Sequence, residues 1–242
     1  MSGTKDALPL LMRDKSLLLA SPGEKAEQLI LLFHGAGANP EQMVPLGEKL
    51  AAAYPHAWVV SVCAPESSDG ERYHWYSLED VNEENHLQRM IAAMPAFLAT
   101  ISHWQKTVGI GADRTALVGF SQGAIMALES SHEQPVVASR VASIGGRFLR
   151  LPEPVGDATT YFLLHGKEDE VISYGYTVKA AEYLAAREGD VVADVIPFRG
   201  HEITPDLIDL LLERLQGHVP RRLWKEALRA DAPLRKVDDS DA

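Results

Sequence analysis

Cysteine is almost absent from this chain, because Cys63 is the only one, and no disulfide can form within it. Cys63 ends the apolar stretch 58–63, which predicts a buried and unreactive thiol. Long apolar runs are also lacking, since no segment approaches the roughly 18 residues that a transmembrane helix requires. The segment 1–14 has neither the basic start nor the continuous apolar run of a signal peptide. We therefore expect a cytoplasmic protein without stable membrane insertion.

An excess of basic residues is missing as well, since the net charge of the chain is −11. This argues against nucleic acid as the main partner, because phosphate binding requires a basic surface. Histidine, cysteine and carboxylate residues form no dense cluster with the spacing of metal ligands, so we expect neither a metal nor another cofactor. The 242 residues, 46% of them hydrophobic, suffice to form one large core that needs neither disulfides nor metals for its stability.

Short apolar runs alternate with longer segments of helical period along the chain. Such repeated strand–helix units predict a mainly parallel sheet with helices on both faces. Pro95 should bend or split its helix, and Thr204-Pro205 should cap the start of the last core helix. The predicted strands are 28–33, 57–62, 115–120, 136–143, 160–165 and 190–198, and the predicted helices are 41–54, 85–104, 122–130, 174–187 and a last one from Thr204.

The composition changes near residue 220, where basic residues become frequent. We predict a single domain over residues 1–219 and a partly disordered C-terminal extension over residues 220–242. Trp224 and Leu228 predict one amphipathic turn that packs on the body of the protein. A solvated extension is favoured over an interaction arm.

A G-x-S-x-G motif occupies residues 119–123, directly after a predicted strand and before a predicted helix. In this context the motif is typical of the nucleophile elbow of α/β-hydrolases, whose sharp turn raises the serine hydroxyl above the sheet. The motif therefore predicts an α/β-hydrolase fold with Ser121 as nucleophile. The alternative is an ordinary strand–helix turn that contains an incidental serine.

A serine hydroxyl needs a base, and in this fold the order along the chain is serine, acid, histidine. Four of the nine histidines follow the elbow: His132, His165, His201 and His218. His201 is favoured, because it lies in the short loop between the strand 190–198 and the last core helix. Such loops open at the carboxyl edge of the sheet, where ligands bind.

The acid should follow a strand between Ser121 and His201, where Glu168, Asp169 and Glu170 are adjacent. One carboxylate must accept the imidazole N–H, but the residues alone do not say which.

An oxyanion hole requires two backbone donors. The Gln122 amide is the natural first donor, and the loop 34–38, rich in small residues, offers a second. His34 is interpreted as a structural residue at the start of that loop. The aromatic side chains of Trp75 and Tyr76 either line a substrate pocket or simply pack at the surface.

Four segments in a fixed order resemble the bacterial phospholipase/carboxylesterase family, which includes acyl-protein thioesterase-like hydrolases. They are LLFHGAGANP, GFSQGA, LLHGKEDEVI and RGHEI, and the resemblance covers about residues 28–217. It implies Ser121 as nucleophile, Asp169 as acid, His201 as base, and the amides of Ala36 and Gln122 as oxyanion donors. It also implies a substrate wall around Trp75, where the family's usual Trp-Phe-Asp is here Trp75-Tyr76-Ser77. The chain departs from the family at Ala36 and Ala38, where Leu or Met and Asp are common, and this bears on the acyl pocket.

We therefore predict a serine hydrolase that cleaves esters of small to medium acyl chains through an acyl-enzyme. A thioesterase or lysophospholipase would use the same residues, and a non-catalytic ligand-binding protein is the alternative of another class. Only 80 positions separate Ser121 from His201, so no large lid domain can be inserted there. The expected partner is a small-molecule ester or thioester, and the expected assembly is a monomer or homodimer.

Overall fold

A computed structural model of the chain describes residues 10–11, 14–23, 26–67 and 69–230. The predicted disorder at 238–242 and most of the segment 1–14 lie outside these residues. No helix of the described residues is both long enough and apolar enough to cross a bilayer.

Eight strands form the central sheet, and six neighbouring strands in its middle and at one edge are parallel. The order across the sheet is β1-β2-β4-β3-β7-β8-β9-β10, with β2 antiparallel to β4 and β1 antiparallel to β2. A separate hairpin pairs β5 with β6. The strands are β1 Leu10–Leu11, β2 Leu17–Ala20, β3 Gln28–Phe33, β4 Ala57–Val62, β5 Glu66–Ser67, β6 Tyr73–His74, β7 Thr115–Phe120, β8 Arg140–Ile144, β9 Thr160–Gly166 and β10 Asp190–Ile196.

Helices cover both faces of the sheet, as the alternating pattern predicts. They are α1 Val44–Ala53, α2 His86–Val108, α3 Gln122–Glu129, α4 Gly175–Ala186, α5 Pro205–Gly217 and α6 Arg221–Ala230. Alternate residues of β3 belong to two separate cores, since strand side chains point to opposite faces. Leu29, Leu31 and Phe33 pack with α2, α3 and α4, whereas Ile30 and Leu32 pack with α1 and α5.

The predicted strands 28–33, 57–62 and 115–120 are confirmed at both ends, but three other expectations need correction. The strand predicted from residue 136 begins at Arg140, because β9 begins opposite that residue and β7 begins only one residue earlier. Helix α2 is not split at Pro95, which lies on its exposed side, where water can satisfy the carbonyl that proline leaves unbonded. Thr204 occupies the N-cap position of α5, but its hydroxyl makes no capping hydrogen bond.

The chain beyond residue 219 continues into α6, which contacts the body through its polar side. Lys225 Nζ lies 2.8 Å from Asp157 Oδ2. Trp224 and Leu228 are 59% and 70% exposed, so the prediction that they pack on the body is wrong. The body offers carboxylates at this surface, and α6 therefore turns its basic side inward and its apolar side outward.

A buried carboxylate at the start of β10 holds the chain just before α6. Asp190 Oδ2 accepts hydrogen bonds from the Thr160 hydroxyl at 2.6 Å and from the Arg221 amide at 3.1 Å. Its Oδ1 lies 2.8 Å from His218 Nε2. These contacts connect two strands of the sheet to the end of α5 and the start of α6.

The close contact between α3 and the end of β3 generates the first prediction. A Cβ atom on Gly123 would lie 2.3 Å from the Phe33 carbonyl oxygen and 2.6 Å from that of His34, both of them backbone atoms. We expect Gly123→Ala to lower the free energy of unfolding by at least about 1–3 kcal/mol, as overpacking does. Urea unfolding followed by circular dichroism measures this.

Gly217→Ala is the matched control, because Gly217 ends a helix and a Cβ atom there would meet no described atom within 4 Å. It gains the same helix propensity without a clash and should leave stability unchanged or raise it by up to about 1 kcal/mol. Equal stability of the two variants would contradict the close-contact explanation.

Candidate active site

Ser121 sits on a sharp turn between β7 and α3. Its φ of 52° and ψ of −117° are unusual for a residue with a side chain, and such backbone strain typically costs about 1–3 kcal/mol. Gly119 precedes it, and a Cβ atom there would lie 2.4 Å from the Ala124 amide nitrogen. The two outer glycines of the motif therefore let strand and helix approach closely enough to hold the turn.

Three side chains predicted from the sequence lie in one hydrogen-bonded row. His201 Nε2 is 2.8 Å from Ser121 Oγ, and His201 Nδ1 is 2.6 Å from Asp169 Oδ2. Ser121 follows β7, Asp169 follows β9, and His201 lies between β10 and α5, so all three are at the carboxyl edge of the parallel strands. Since a carboxylate accepts from Nδ1–H, the Nε2 lone pair is directed to the serine hydroxyl.

Asp169 is held in its charged form by several donors. Burial alone would raise its pKa, but hydrogen bonds from His201 and from the Ile172 and Val171 amides outweigh that effect and lower it. The amides of Val171 and Ile172 donate to Oδ1 at 2.9 and 2.8 Å, which leaves Oδ2 for the imidazole. The adjacent Glu168 and Glu170 are exposed.

None of the other histidines that follow the elbow is hydrogen-bonded to Ser121 within the described residues, although His165 Nε2 lies 3.1 Å from Asp169 Oδ2. His165 is fully buried, its Nε2–H donates to the Ile172 carbonyl at 2.7 Å, and its Nδ1 accepts from the Thr177 hydroxyl at 2.8 Å. Burial lowers the pKa of His165, so it is a neutral residue that supports the loop of Asp169. His132 lies 3.2 Å from Glu129, and His218 contacts the carboxylate at the start of β10.

His34 has the structural role that the sequence predicts for it. It is fully buried, and burial lowers its pKa to about 4. The Ala64 amide donates to Nε2 at 3.1 Å, so Nδ1 carries the hydrogen that is donated to the Gly35 carbonyl at 2.7 Å. A neutral imidazole therefore connects the start of the loop 34–38 to the end of β4.

The loop 34–38 leaves one of its amides uncommitted. The Gly35 amide donates to Gln42 Oε1, and the Gly37 amide donates to the Tyr73 carbonyl, both at 2.8 Å. Among the described residues, neither the Ala36 amide nor the Gln122 amide at the start of α3 donates to another protein group. These are the two amides that the resemblance implies as oxyanion donors.

The side chain of Gln122 is a feature that sequence reasoning missed. Its Oε1 accepts from the Trp75 amide at 2.9 Å, and its Nε2 donates to the Tyr76 carbonyl at 2.7 Å. This buried amide fastens the segment 75–76 to the elbow. An amide at this position of the motif gives no sequence signal of which segment it will bind.

The two predicted wall residues differ in position. Trp75 is 2% exposed, packs edge-on against Phe33 and Phe97, and donates from its ring nitrogen to the His34 carbonyl at 2.9 Å. It belongs to the core and does not line the cavity at Ser121, which corrects the expectation for this residue. Tyr76 does line that cavity.

A cavity of about 340 Å³ opens beside Ser121. Ala36 lines a neighbouring depression that shares Leu78 with this cavity. Sequence reasoning missed several of the lining residues, because they come from separate loops and helices that carry no motif. The lining comprises Tyr76, Leu78, Glu83, His86, Ser121, Gln122, Ile125, Arg147, Val171, Ile172, Ser173 and Tyr176.

Within the described residues, no inserted domain covers this cavity. Between the elbow and the loop of His201 the chain forms α3, β8, β9, α4, β10 and their connections.

In the part of the chain that the structure describes, no group of three or more histidine, cysteine or carboxylate residues is arranged to hold a metal ion. Cys63 is half-buried and not buried as predicted, and burial raises its pKa to about 11, so its thiol is protonated at neutral pH.

Comparison with solved structures supports the fold. An esterase named PE8 superposes with a TM-score of 0.73 at 24% identity, over 84% of this chain and 97% of that chain. A carboxylesterase from Mesorhizobium loti superposes with a TM-score of 0.69 at 20% identity, over 86% of this chain and 99% of that chain. These similarities establish the α/β-hydrolase fold without a large lid.

Sequence comparison gives closer matches. The chain is 42% identical to esterase YpfH of Escherichia coli (strain K12) over 223 residues, which are 92% of this chain and 96% of that protein. Residues 15–219 match the phospholipase/carboxylesterase family, so the matched region contains the elbow, the loop 34–38, Asp169 and His201. The chain therefore belongs to the phospholipase/carboxylesterase family of α/β-hydrolase enzymes.

Proposed function

We propose that this protein is a serine esterase that hydrolyses carboxylic esters of small to medium acyl chains through an acyl-enzyme intermediate. The observation that carries the proposal is the unbroken hydrogen-bonded row from Asp169 through His201 to Ser121 beside an open cavity. The 42% identity to a protein named an esterase, over nearly the whole chain, supports the same reaction class.

In the proposed mechanism, Ser121 Oγ attacks the ester carbonyl carbon while His201 Nε2 takes the hydroxyl proton. Asp169 keeps the imidazole in the required tautomer and stabilises its protonated form. His201 then returns the proton to the leaving alkoxide, and an alcohol departs. A water molecule, deprotonated by the same imidazole, then attacks the acyl carbon. The bond from that carbon to Ser121 Oγ breaks, His201 returns the proton to Oγ, and the carboxylic acid departs.

The oxyanion that forms at each attack needs donors that are already in place. We assign this role to the Ala36 and Gln122 amides, because neither donates to another described group. The Gln122 amide also belongs to the first turn of α3, whose unpaired N–H groups favour negative charge.

The non-catalytic alternative is disfavoured, because all three side chains are present and in contact. A thioesterase would use the same three hydrogen-bonded side chains, so only the rates on ester and thioester substrates distinguish the two activities. A cytoplasmic location and a monomeric or homodimeric assembly stay predictions from the sequence.

Covalent labelling tests the nucleophile. An alkyl fluorophosphonate should add one label to the wild-type protein at Ser121, and esterase activity should disappear in proportion. Ser121→Ala should take no label and lose at least about 10³-fold in kcat/KM, because the nucleophile is gone. Intact-mass spectrometry with peptide mapping measures the label, and a p-nitrophenyl butyrate assay measures the rate.

Ser102→Ala, on α2 and away from the elbow, is the control and should label like the wild type. Undiminished labelling or hydrolysis by Ser121→Ala would refute the assignment.

Substitution of the three adjacent carboxylates tests the acid. Asp169→Asn should lower kcat by roughly 10³-fold or more, because an amide no longer enforces the tautomer or stabilises the imidazolium. Glu168→Gln and Glu170→Gln serve as matched controls with little expected change, since both side chains are exposed. Steady-state kinetics on one p-nitrophenyl ester checks all three, and the assignment fails if a glutamate variant loses more activity than Asp169→Asn.

A panel of p-nitrophenyl esters tests the acyl range. We expect kcat/KM to rise through short and medium acyl chains and not to rise further for dodecanoate and hexadecanoate. The reason is that a cavity of about 340 Å³ cannot bury the later methylenes, which then contribute no binding free energy. A value of kcat/KM that keeps rising up to hexadecanoate would contradict the expected range. A butyryl thioester, measured beside p-nitrophenyl butyrate with Ser121→Ala as the blank, tests the thioesterase alternative.

A further inference from the structure

Arg147 lies in the wall of the active-site cavity, on the loop that follows β8. Its guanidinium carbon lies 4.5 Å from the ring centre of Tyr176 on α4. One of its nitrogens, Nη2, lies 3.2 Å from Nδ1 of His86 at the start of α2. The side chain is half-buried, so the positive charge is placed inside the cavity and not on the outer surface.

No carboxylate of the described residues lies in ion-pair contact with this guanidinium, and the buried Glu129, whose charge acts on the neighbouring His86, contacts His132 and Arg150 instead. Within the described ranges Arg147 makes no ion pair, whereas Arg214 and Arg199 lie 2.8 and 2.9 Å from Asp194 and Asp206. The chain as a whole has a net charge of −11, so carboxylates are abundant, yet none that the structure describes contacts this guanidinium. Glu83 lines the same cavity, but its side chain is exposed and forms no ion pair with Arg147.

The neighbouring polar groups leave most of the guanidinium donors available. Burial, and then the charge of Arg147, lower the pKa of His86, so its imidazole is neutral and accepts from Arg147 at Nδ1. Its Nε2–H then donates to the Tyr76 hydroxyl oxygen at 2.7 Å. A guanidinium has five N–H groups, and His86 occupies one of them.

The backbone that carries Arg147 is held on both sides. Upstream, a Cβ atom on Gly145 would lie 3.3 Å from His201 Nδ1, so the loop passes directly beside the catalytic imidazole. Downstream, the buried Glu129 Oε1 accepts from the amides of Leu149 at 2.6 Å and Arg150 at 2.9 Å. The cation is thus presented from a loop that is fixed relative to the elbow.

We propose that Arg147 is an anion-binding, specificity-determining residue, and that the preferred substrates are esters that carry a carboxylate or phosphate group near the scissile bond. The planar guanidinium, supported on one face by Tyr176, pairs with such a group through two parallel hydrogen bonds. This inference rests on the proposed esterase function, because it uses the cavity that contains Ser121.

Matched pairs of substrates test the proposal. On the acyl side, p-nitrophenyl hydrogen adipate carries a carboxylate where p-nitrophenyl adipamate carries a neutral amide. On the alcohol side, 4-carboxyphenyl butyrate is compared with 4-carbamoylphenyl butyrate. The measured quantity is the ratio of kcat/KM, anionic over neutral, at pH 7.5 and low salt, after subtraction of spontaneous hydrolysis. A ratio taken on one preparation does not depend on the fraction of active enzyme.

We expect the wild-type ratio to exceed one by about tenfold to a hundredfold in at least one pair, which corresponds to hydrogen bonds to a charged group. The pair that shows the preference tells on which side of the ester the anion lies. Arg147→Gln should reduce that ratio to near one, and Arg147→Lys, which keeps the charge but not the planar fork, should give an intermediate ratio. Glu83→Gln should raise the ratio, because a negative charge leaves the cavity.

Arg187→Gln is the matched control, since the Arg187 guanidinium also stacks on a tyrosine of α4, Tyr183, at 3.8 Å, but lies outside the cavity. It changes the net charge by the same amount and should keep the wild-type ratio. A wild-type ratio of one or less in both pairs, or an unchanged ratio in Arg147→Gln, would overturn the proposal. Failure of the anion preference does not affect the proposed esterase function as long as Ser121→Ala fails to hydrolyse the neutral esters. Hydrolysis of the neutral esters that persists in Ser121→Ala would instead overturn the esterase function itself.

Discussion

The candidate active site depends on how closely one short helix approaches the ends of two strands. Gly119 and Gly123 place α3 against β7 and β3 at distances that no side chain would permit. Ser121 lies between these contacts, and its strained backbone persists because packing on both sides determines it. The same contact directs the first amide of α3 and the loop 34–38 to one side of the sheet. The proposed nucleophile and the proposed oxyanion donors therefore depend on a single packing constraint.

Buried polar side chains hold the loops that surround this constraint. His34 fixes the start of the loop 34–38, Gln122 fixes the segment 75–76, and Glu129 fixes the loop after β8. In each case a side chain is bonded to backbone groups of the segment that it holds. Since an unpaired buried polar group is costly, each of these bonds selects one loop conformation over the alternatives. Loops form most of the cavity wall, and these bonds hold them against the elbow and the sheet.

The parts of this structure that obey local rules could be predicted from the sequence, and the parts that depend on long-range contact could not. The strand limits at β3, β4 and β7 are set by short apolar runs, and the elbow is set by glycine and serine spacing. The position of His201 after a strand predicts it as the base, and the structure brings it to Ser121. The choice of Asp169 over its neighbours needs the family resemblance, because the residues alone do not indicate that Asp169 is buried beside His201 while Glu168 and Glu170 are exposed. Trp75 and Arg147 show the limit most clearly, since pattern alone does not indicate that the first is buried in the core and the second faces the cavity.

The buried carboxylate of Asp190 has a consequence for the modularity of the chain. Composition suggests a boundary near residue 219, yet His218 and the Arg221 amide on either side of it both contact Asp190, which also accepts from Thr160 in β9. The first residues of the extension thus complete a hydrogen-bond cluster of the central sheet. A chain ended at the compositional boundary would expose this carboxylate or leave it with fewer donors. The compositional boundary is consequently not a gap in the hydrogen bonding, since the start of the extension is joined to the central sheet through Asp190.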